Sequence, residues 1–167
     1  ILHLLSQLDE LIDQNRLNEY WQQGLALLQR ELGAQAISLF LFEPGTATPS
    51  QPIRLGQFSQ VALTLVEKWE TKLSESQLIF DPQNLAGLIE VATAPWDSTQ
   101  LVHIRIILEY TTRGVLTFGF APEHGQNETQ QHFLGSLAQM FCGNALRASY
   151  LHATRVRLER SNLLYQI

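Results

Sequence analysis

Residues 101–110 read LVHIRIILEY and residues 114–121 read GVLTFGFA, separated only by Thr111, Thr112 and Arg113. Both runs alternate and are rich in β-branched and aromatic side chains, and Gly114 closes the short break, so the pair predicts an antiparallel hairpin. Alternation sorts its side chains onto two faces. Val102, Ile104, Ile106 and Leu108 make one face of the first strand wholly aliphatic. The other face carries Leu101, His103, Arg105, Ile107 and Glu109. On the second strand Leu116, Phe118 and Phe120 share one face, and Val115, Thr117 and Gly119 the other.

Helices are expected on both sides of this hairpin in the chain. Residues 1–14 place Ile1, Leu4, Leu8 and Leu11 at heptad spacing, widened by Leu5 and Ile12. So short a helix is marginal alone and needs a partner. A second helix is predicted from Asn18, a cap residue, to Leu32, with Trp21, Leu25, Leu28 and Leu32 on one face and Gly33 as its stop. Residues 36–43 (AISLFLFE) read as a strand buried on both faces, and residues 53–58 as an edge strand weakened by Pro52 and Gly56. Apolar positions 61, 62, 65, 66, 69 and 73 predict a further helix. Between them and the hairpin, residues 78–80 suit a strand, residues 82–92 a short helix and residues 94–99 a loop. A long helix runs from about Glu128 to the end, apolar nearly all round as far as Ala148 and thinning to Leu151, Leu158 and Tyr165 beyond. The class is α+β: a mainly antiparallel sheet with terminal helices gathered on one face.

Composition bounds the function. The chain has 167 residues, 45% hydrophobic and 16% charged, enough apolar material for one core. A net charge of −5 and a pI near 5.5 argue against a basic nucleic-acid interface. One cysteine excludes a disulfide framework, a CxxC-type zinc site and a two-thiol redox cycle. No apolar run approaches the roughly 18 residues of a membrane span, and no signal-peptide pattern is present, so a cytoplasmic protein is expected. The five histidines form neither an i,i+4 pair nor HExxH, and GxSxG and P-loop patterns are absent. Neither a metal site nor an enzyme is expected.

The helix running into AISLFLFE, and the stretch RGVLTFGFAPEHGQNETQQHFLGSLAQMFCGNAL that ends the hairpin and enters the last helix, resemble the GAF domain, a small-molecule sensor fold related to PAS. The resemblance covers residues 18–150. It implies a central antiparallel sheet with N- and C-terminal helices on one face and loops and short helices on the other, around a ligand. Residues 1–17 then form an N-terminal dimerisation or linker helix, and residues 151–167 a signalling helix leading to a missing output domain. The start at Ile1 and the end inside a helical pattern suggest a segment excised from a bacterial signalling protein.

Family chemistries are tested residue by residue. Bilin-binding members attach chromophore through a cysteine beside the pocket, whereas Cys142 lies midway along the closing helix between Phe141 and Gly143, a packing position. The Asn-Lys-Phe-Asp-Glu string of cyclic-nucleotide-binding members is missing, and methionine-sulfoxide reduction needs a second thiol. A single axial histidine to haem would fall to His103 or His132. The hairpin face with His103, Arg105 and Thr117 would line the pocket, with Trp69, Phe80 and Trp96 as its lid. The competing interpretations are a solvated sheet face and aromatic core filling. Arg105 can clamp a carboxylate or phosphate, or pair with Glu109.

The terminal segments carry opposite charge: Asp9, Glu10 and Asp13 at one end, Arg147, Arg155, Arg157 and Arg160 at the other. They read either as solvated faces or as helices lying side by side. A homodimer is expected through Leu4, Leu8, Leu11, Leu137, Asn144, Leu151 and Leu158, with the polar Asn144 fixing register. Function is then a non-catalytic sensor relaying a ligand signal through a dimeric C-terminal helix to a histidine kinase or cyclic-dinucleotide enzyme. The alternative is a ligand-free dimerisation scaffold.

Overall fold

The computed structural model describes residues 1–42, 51–75 and 87–165, and the hairpin lies at the centre of a five-stranded antiparallel sheet. The strands are β1 (Ala36–Leu41), β2 (Ile53–Gly56), β3 (Ile89–Thr93), β4 (Gln100–Leu108) and β5 (Thr111–Phe120), in the order β2-β1-β5-β4-β3. β1 is buried over nearly its whole length between β2 and β5, whereas β2 is a short edge, as Pro52 and Gly56 imply.

Two local expectations are corrected. The hairpin turns at Glu109-Tyr110, not at 111–113; both residues have positive φ (51° and 62°), the geometry of a two-residue primed turn that suits strand twist. No glycine or asparagine marks that turn, so composition pointed to the residues just after it. Residues 89–92, expected as the end of a helix, belong instead to β3: the β-branched Ile89 and Val91 pair with Ile104 and Val102 on the open edge of β4. The strand expected at 78–80 and the start of that helix lie outside the described residues.

The N-terminal stripe breaks into α1 (Leu2–Ser6) and α2 (Asp9–Asp13). Leu5 is its buried member, while Ile1, Leu8, Leu11 and Ile12 pack around it, partly covered. α3 (Leu17–Leu32) begins one residue before Asn18, without a side-chain cap, and ends at Gly33 in the left-handed region as expected. α4 (Gln60–Glu75) and the 38-residue α5 (Glu128–Tyr165) complete the chain. α5 starts in a reciprocal cap: Asn127 Oδ1 accepts from the Gln130 N–H, and Gln130 Oε1 from the Asn127 N–H.

The sheet separates two apolar layers. Val102, Ile104, Ile106, Leu116, Phe118 and Phe120 pack against α1, α3 and α5 through Leu5, Tyr20, Trp21, Leu25, Leu28, Leu134 and Phe141. The aliphatic hairpin face therefore meets the terminal helices. α4 covers the other face, with Ala62 and Val66 beside Leu101, and Leu73 beside Phe40, Phe42 and Val115.

Candidate functional site

His103 and Thr117 face each other across the β4–β5 ladder, so alternation delivers both side chains to the α4 face. His103 is 3% exposed and Thr117 fully buried. The face is therefore not a solvated one. The Thr117 hydroxyl lies 3.0 Å from His103 Nδ1, and Trp69 of α4 packs over the imidazole with ring centres 5.2 Å apart. Burial drives the imidazole pKa down to about 4, so His103 is neutral at pH 7. Lys72 sits on the Trp69 ring at 5.4 Å.

A second polar group lies beside the first. Ser38 of β1 stands opposite Arg54 of β2, and both reach Glu70 on the buried stripe of α4. The Ser38 hydroxyl donates to Glu70 Oε1 at 3.2 Å and Arg54 Nη2 to Oε2 at 2.7 Å. Glu70 is 5% exposed, and burial pushes its carboxyl pKa up against the opposing pull of Arg54 and Ser38. Sequence reasoning missed this group. Its signal was an acid at i+4 from Val66 inside an otherwise apolar stripe. The Trp69 indole N–H and Arg54 Nε–H are buried with no acceptor among the described residues.

Arg105 lies farther along β4, two residues from His103 on the same face. It donates to the Thr112 hydroxyl, not to Glu109, which stands exposed in the turn. A β-bulge makes this contact: Ile106 pairs with Gly114 but Ile107 with Thr112, so Arg113 is skipped. Thr112 thereby returns to the α4 face. Arg113 instead reaches α5, with its guanidinium 5.4 Å from the Tyr150 ring centre. Arg105 is partly exposed, with Gly87 beside its guanidinium.

The remaining candidates are dispersed. Trp96 sits at φ 79° in the β3–β4 turn with 95% of its surface in solvent, away from His103. Phe80 lies outside the described residues. Cys142 is wholly buried on the helix side, its thiol pKa pushed up by that burial, so it is across the sheet from His103 and Arg105. His132 is exposed on α5, 3.8 Å from Glu128. No group of three or more His, Cys, Asp or Glu side chains able to hold a metal occurs among the described residues.

Of the stripe expected to dimerise, Leu137 is 2% exposed because the chain's own core takes it. Asn144 is partly covered, whereas Leu151 and Leu158 are 70% and 60% exposed. Leu8 and Leu11 pack on the core of their own chain. A groove of about 360 Å³ separates α2 from α5, with Ile12, Asp13, His152 and Arg155 among its walls. A neighbouring one of about 370 Å³ carries Asp9, Asn144 and Arg147. No ion pair bridges the acidic and basic walls among the described residues. No described helix is long and apolar enough to cross a membrane.

No family model matches the sequence, and no curated protein matches it. Among solved structures, the chain is similar to the GAF domain of a phosphoenolpyruvate-protein phosphotransferase from Coxiella burnetii. Identity is 17% over 91% of this chain and 96% of that one, with a TM-score of 0.52. A GAF domain/HD domain protein from Geobacter sulfurreducens is 10% identical over 87% of this chain and 98% of that one, TM-score 0.48. A red/green cyanobacteriochrome in its red-light-absorbing state is 9% identical over 80% and 96%, TM-score 0.42. The chain has the GAF fold.

Proposed function

We propose that this chain is a non-catalytic regulatory sensor module of a cytoplasmic signalling protein, acting through α5. The observation that carries this is the division of α5. Its first half supplies Leu134, Leu137, Phe141 and Ala145 to the core, while its second half holds Leu151, Leu158 and Leu163 out in solvent. A helix rises about 1.5 Å per residue, so a movement in the core is delivered some 25 Å away at the far end. In this proposal Asn144, Leu151 and Leu158, with Leu4, Leu8 and Leu11 alongside, meet a second copy, and the helix pair leads to a histidine kinase or cyclic-dinucleotide enzyme. That output is an analogy with the fold's signalling members.

The ligand belongs on the α4 face, near Arg105, His103, Thr117 and Trp69. The unsatisfied groups there are N–H donors, at Trp69 and Arg54, so the chemistry that suits them is acceptor-rich: a carboxylate or a phosphate. Native mass spectrometry of the purified protein, followed by denaturation, tests this. A co-purified anionic small molecule that is lost in Arg105→Ala is the expected result; a dimer that carries nothing, and binds no added carboxylate or phosphate, removes the ligand.

One observation favours a second possibility. His103, Thr117, Ser38 and Glu70 are bonded to protein partners and Trp69 is stacked in place. A face so filled suits a ligand-free dimerisation scaffold.

A further inference from the structure

β4 is longer than the strand beside it. β3 pairs with it as far as Ile104, and the Leu88 carbonyl accepts one more bond, from the Arg105 N–H at 2.9 Å. Beyond that point the outer edge of β4 needs partners for the Arg105 carbonyl and the Ile107 N–H, because buried backbone groups are costly to leave unpaired. One side chain supplies both. Gln139 of α5 accepts from the Ile107 N–H through Oε1 at 3.0 Å and donates to the Arg105 carbonyl through Nε2. Its amide thus stands in for the missing residue of β3, and it grips the strand at Ile106, where the bulge begins.

On the opposite edge the same bulge places Thr112 against the Arg105 side chain and Arg113 against Tyr150. Gln139 and Tyr150 are 11 residues apart, close to three full turns, so both lie on one face of α5. Two attachments of α5 therefore converge on the segment that carries Arg105. One holds its main chain; the other holds the residue next to its side-chain partner.

We infer that the Gln139 amide is the coupling residue that ties the state of Arg105 on the α4 face to the docking of α5 on the sheet. The inference rests on the proposal that α5 is the output, but it needs no bound ligand. A guanidinium drawn away from Thr112 shifts the backbone at Ile106, and Gln139 carries that shift into the middle of α5. Tyr150, where the helix leaves the core, adjusts with it. The device works because the contact is a discrete bidentate one, made or lost as a unit.

The test is amide hydrogen exchange, read by NMR on the full chain, for wild type, Arg105→Ala, Gln139→Leu and the double variant. Gln139→Leu should speed exchange at the Ile107 amide about tenfold, the size of one lost hydrogen bond. Arg105→Ala alone should change exchange across residues 147–158 about fivefold, and in the Gln139→Leu background that change should fall below about twofold. An undiminished Arg105→Ala effect in the double variant overturns the inference, as does an Arg105→Ala variant with unaltered α5 exchange. Should Gln139→Leu fail to fold, Gln139→Glu keeps the acceptor for Ile107 and loses the donor to Arg105. It must still weaken the coupling, and full coupling in that variant overturns the inference. Failure of anion binding at Arg105 leaves these readouts untouched, so the two ideas fall separately.

Discussion

At the scale of single residues, the consequential ones are those whose surroundings forbid an ordinary state. His103 is the clearest. The unfolded chain takes up its proton below about pH 6.5, whereas the folded chain does so only below about 4. Between those values the unfolded state binds more protons, so stability falls as pH drops through that window, by at most about 3 kcal/mol. Glu70 acts in the opposite sense. Its folded pKa is raised by burial, so its contribution weakens as pH rises above its unfolded value of 4.5. Denaturant unfolding at pH 7 and pH 4.5 for wild type and His103→Gln separates the two. The variant should lose most of the acid sensitivity, and equal pH dependence in both proteins would refute the assignment. Gly24 is constrained by space instead: a Cβ there would overlap the Phe141 ring, which is clamped between Tyr20 (centroids 4.9 Å) and Trp21 (5.5 Å). The Tyr20 hydroxyl also donates to the Phe141 carbonyl at 2.7 Å, fixing α3 to α5. Gly24→Ala should cost about 2 kcal/mol or more, measured as a lower denaturant midpoint. Gly33→Ala, at φ 69° with no atom within 4 Å of the added carbon, should cost only about 1 kcal/mol.

At the scale of elements, the hairpin turn is where the sequence misleads and where a stabilising change should be found. Glu109 and Tyr110 both occupy the left-handed region, which β-strand twist requires but side chains resist. Glu109→Asn with Tyr110→Gly should therefore raise stability by about 1 kcal/mol, seen in thermal unfolding; a loss would mean that the two side chains contribute interactions beyond the turn. This element also marks the limit of what could be read in advance. Alternation alone placed Val102, Ile104 and Ile106 on one face and His103, Arg105 and Thr117 on the other, because period two leaves no alternative, and the resemblance to the GAF domain turned the aliphatic face to the helices. Past Ile106 that logic stops. The bulge shifts the pairing of β5 by one residue, so Thr112 and Arg113 exchange faces, and nothing in the string TTR announces it. β3 was obscured for a related reason: five residues on an edge have too few neighbours to dictate a pattern, and the tertiary pairing with β4 decided their conformation. Glu70 and Gln139 depend likewise on partners far away in the chain.

For the whole molecule, the question is what covers α5 beyond the body of the domain. The exposed leucines at 151, 158 and 163 continue a helix whose earlier Leu134, Leu137, Phe141 and Ala145 belong to the core. Leu151 lines both grooves between α2 and α5, whose acidic residues are Asp9 and Asp13 and whose basic ones are Arg147 and Arg155, with no ion pair between them among the described residues. A second copy related by a two-fold axis would satisfy both features, setting leucine against leucine and each acidic wall toward the other's basic one. The apolar contacts would hold such a dimer and the charges would orient it, because exposed ion pairs contribute little and are screened by salt. Sedimentation equilibrium distinguishes the parts. Wild type should be dimeric, Leu151→Asp with Leu158→Asp monomeric with an unchanged circular dichroism spectrum, and Arg147→Glu with Arg155→Glu dimeric but weaker by about tenfold at low salt. The charge reversal should matter less as salt approaches 1 M, where the screening length shrinks to about 3 Å. A wild-type monomer at every concentration would leave α5 without its partner, and the relay would then have to act within one chain.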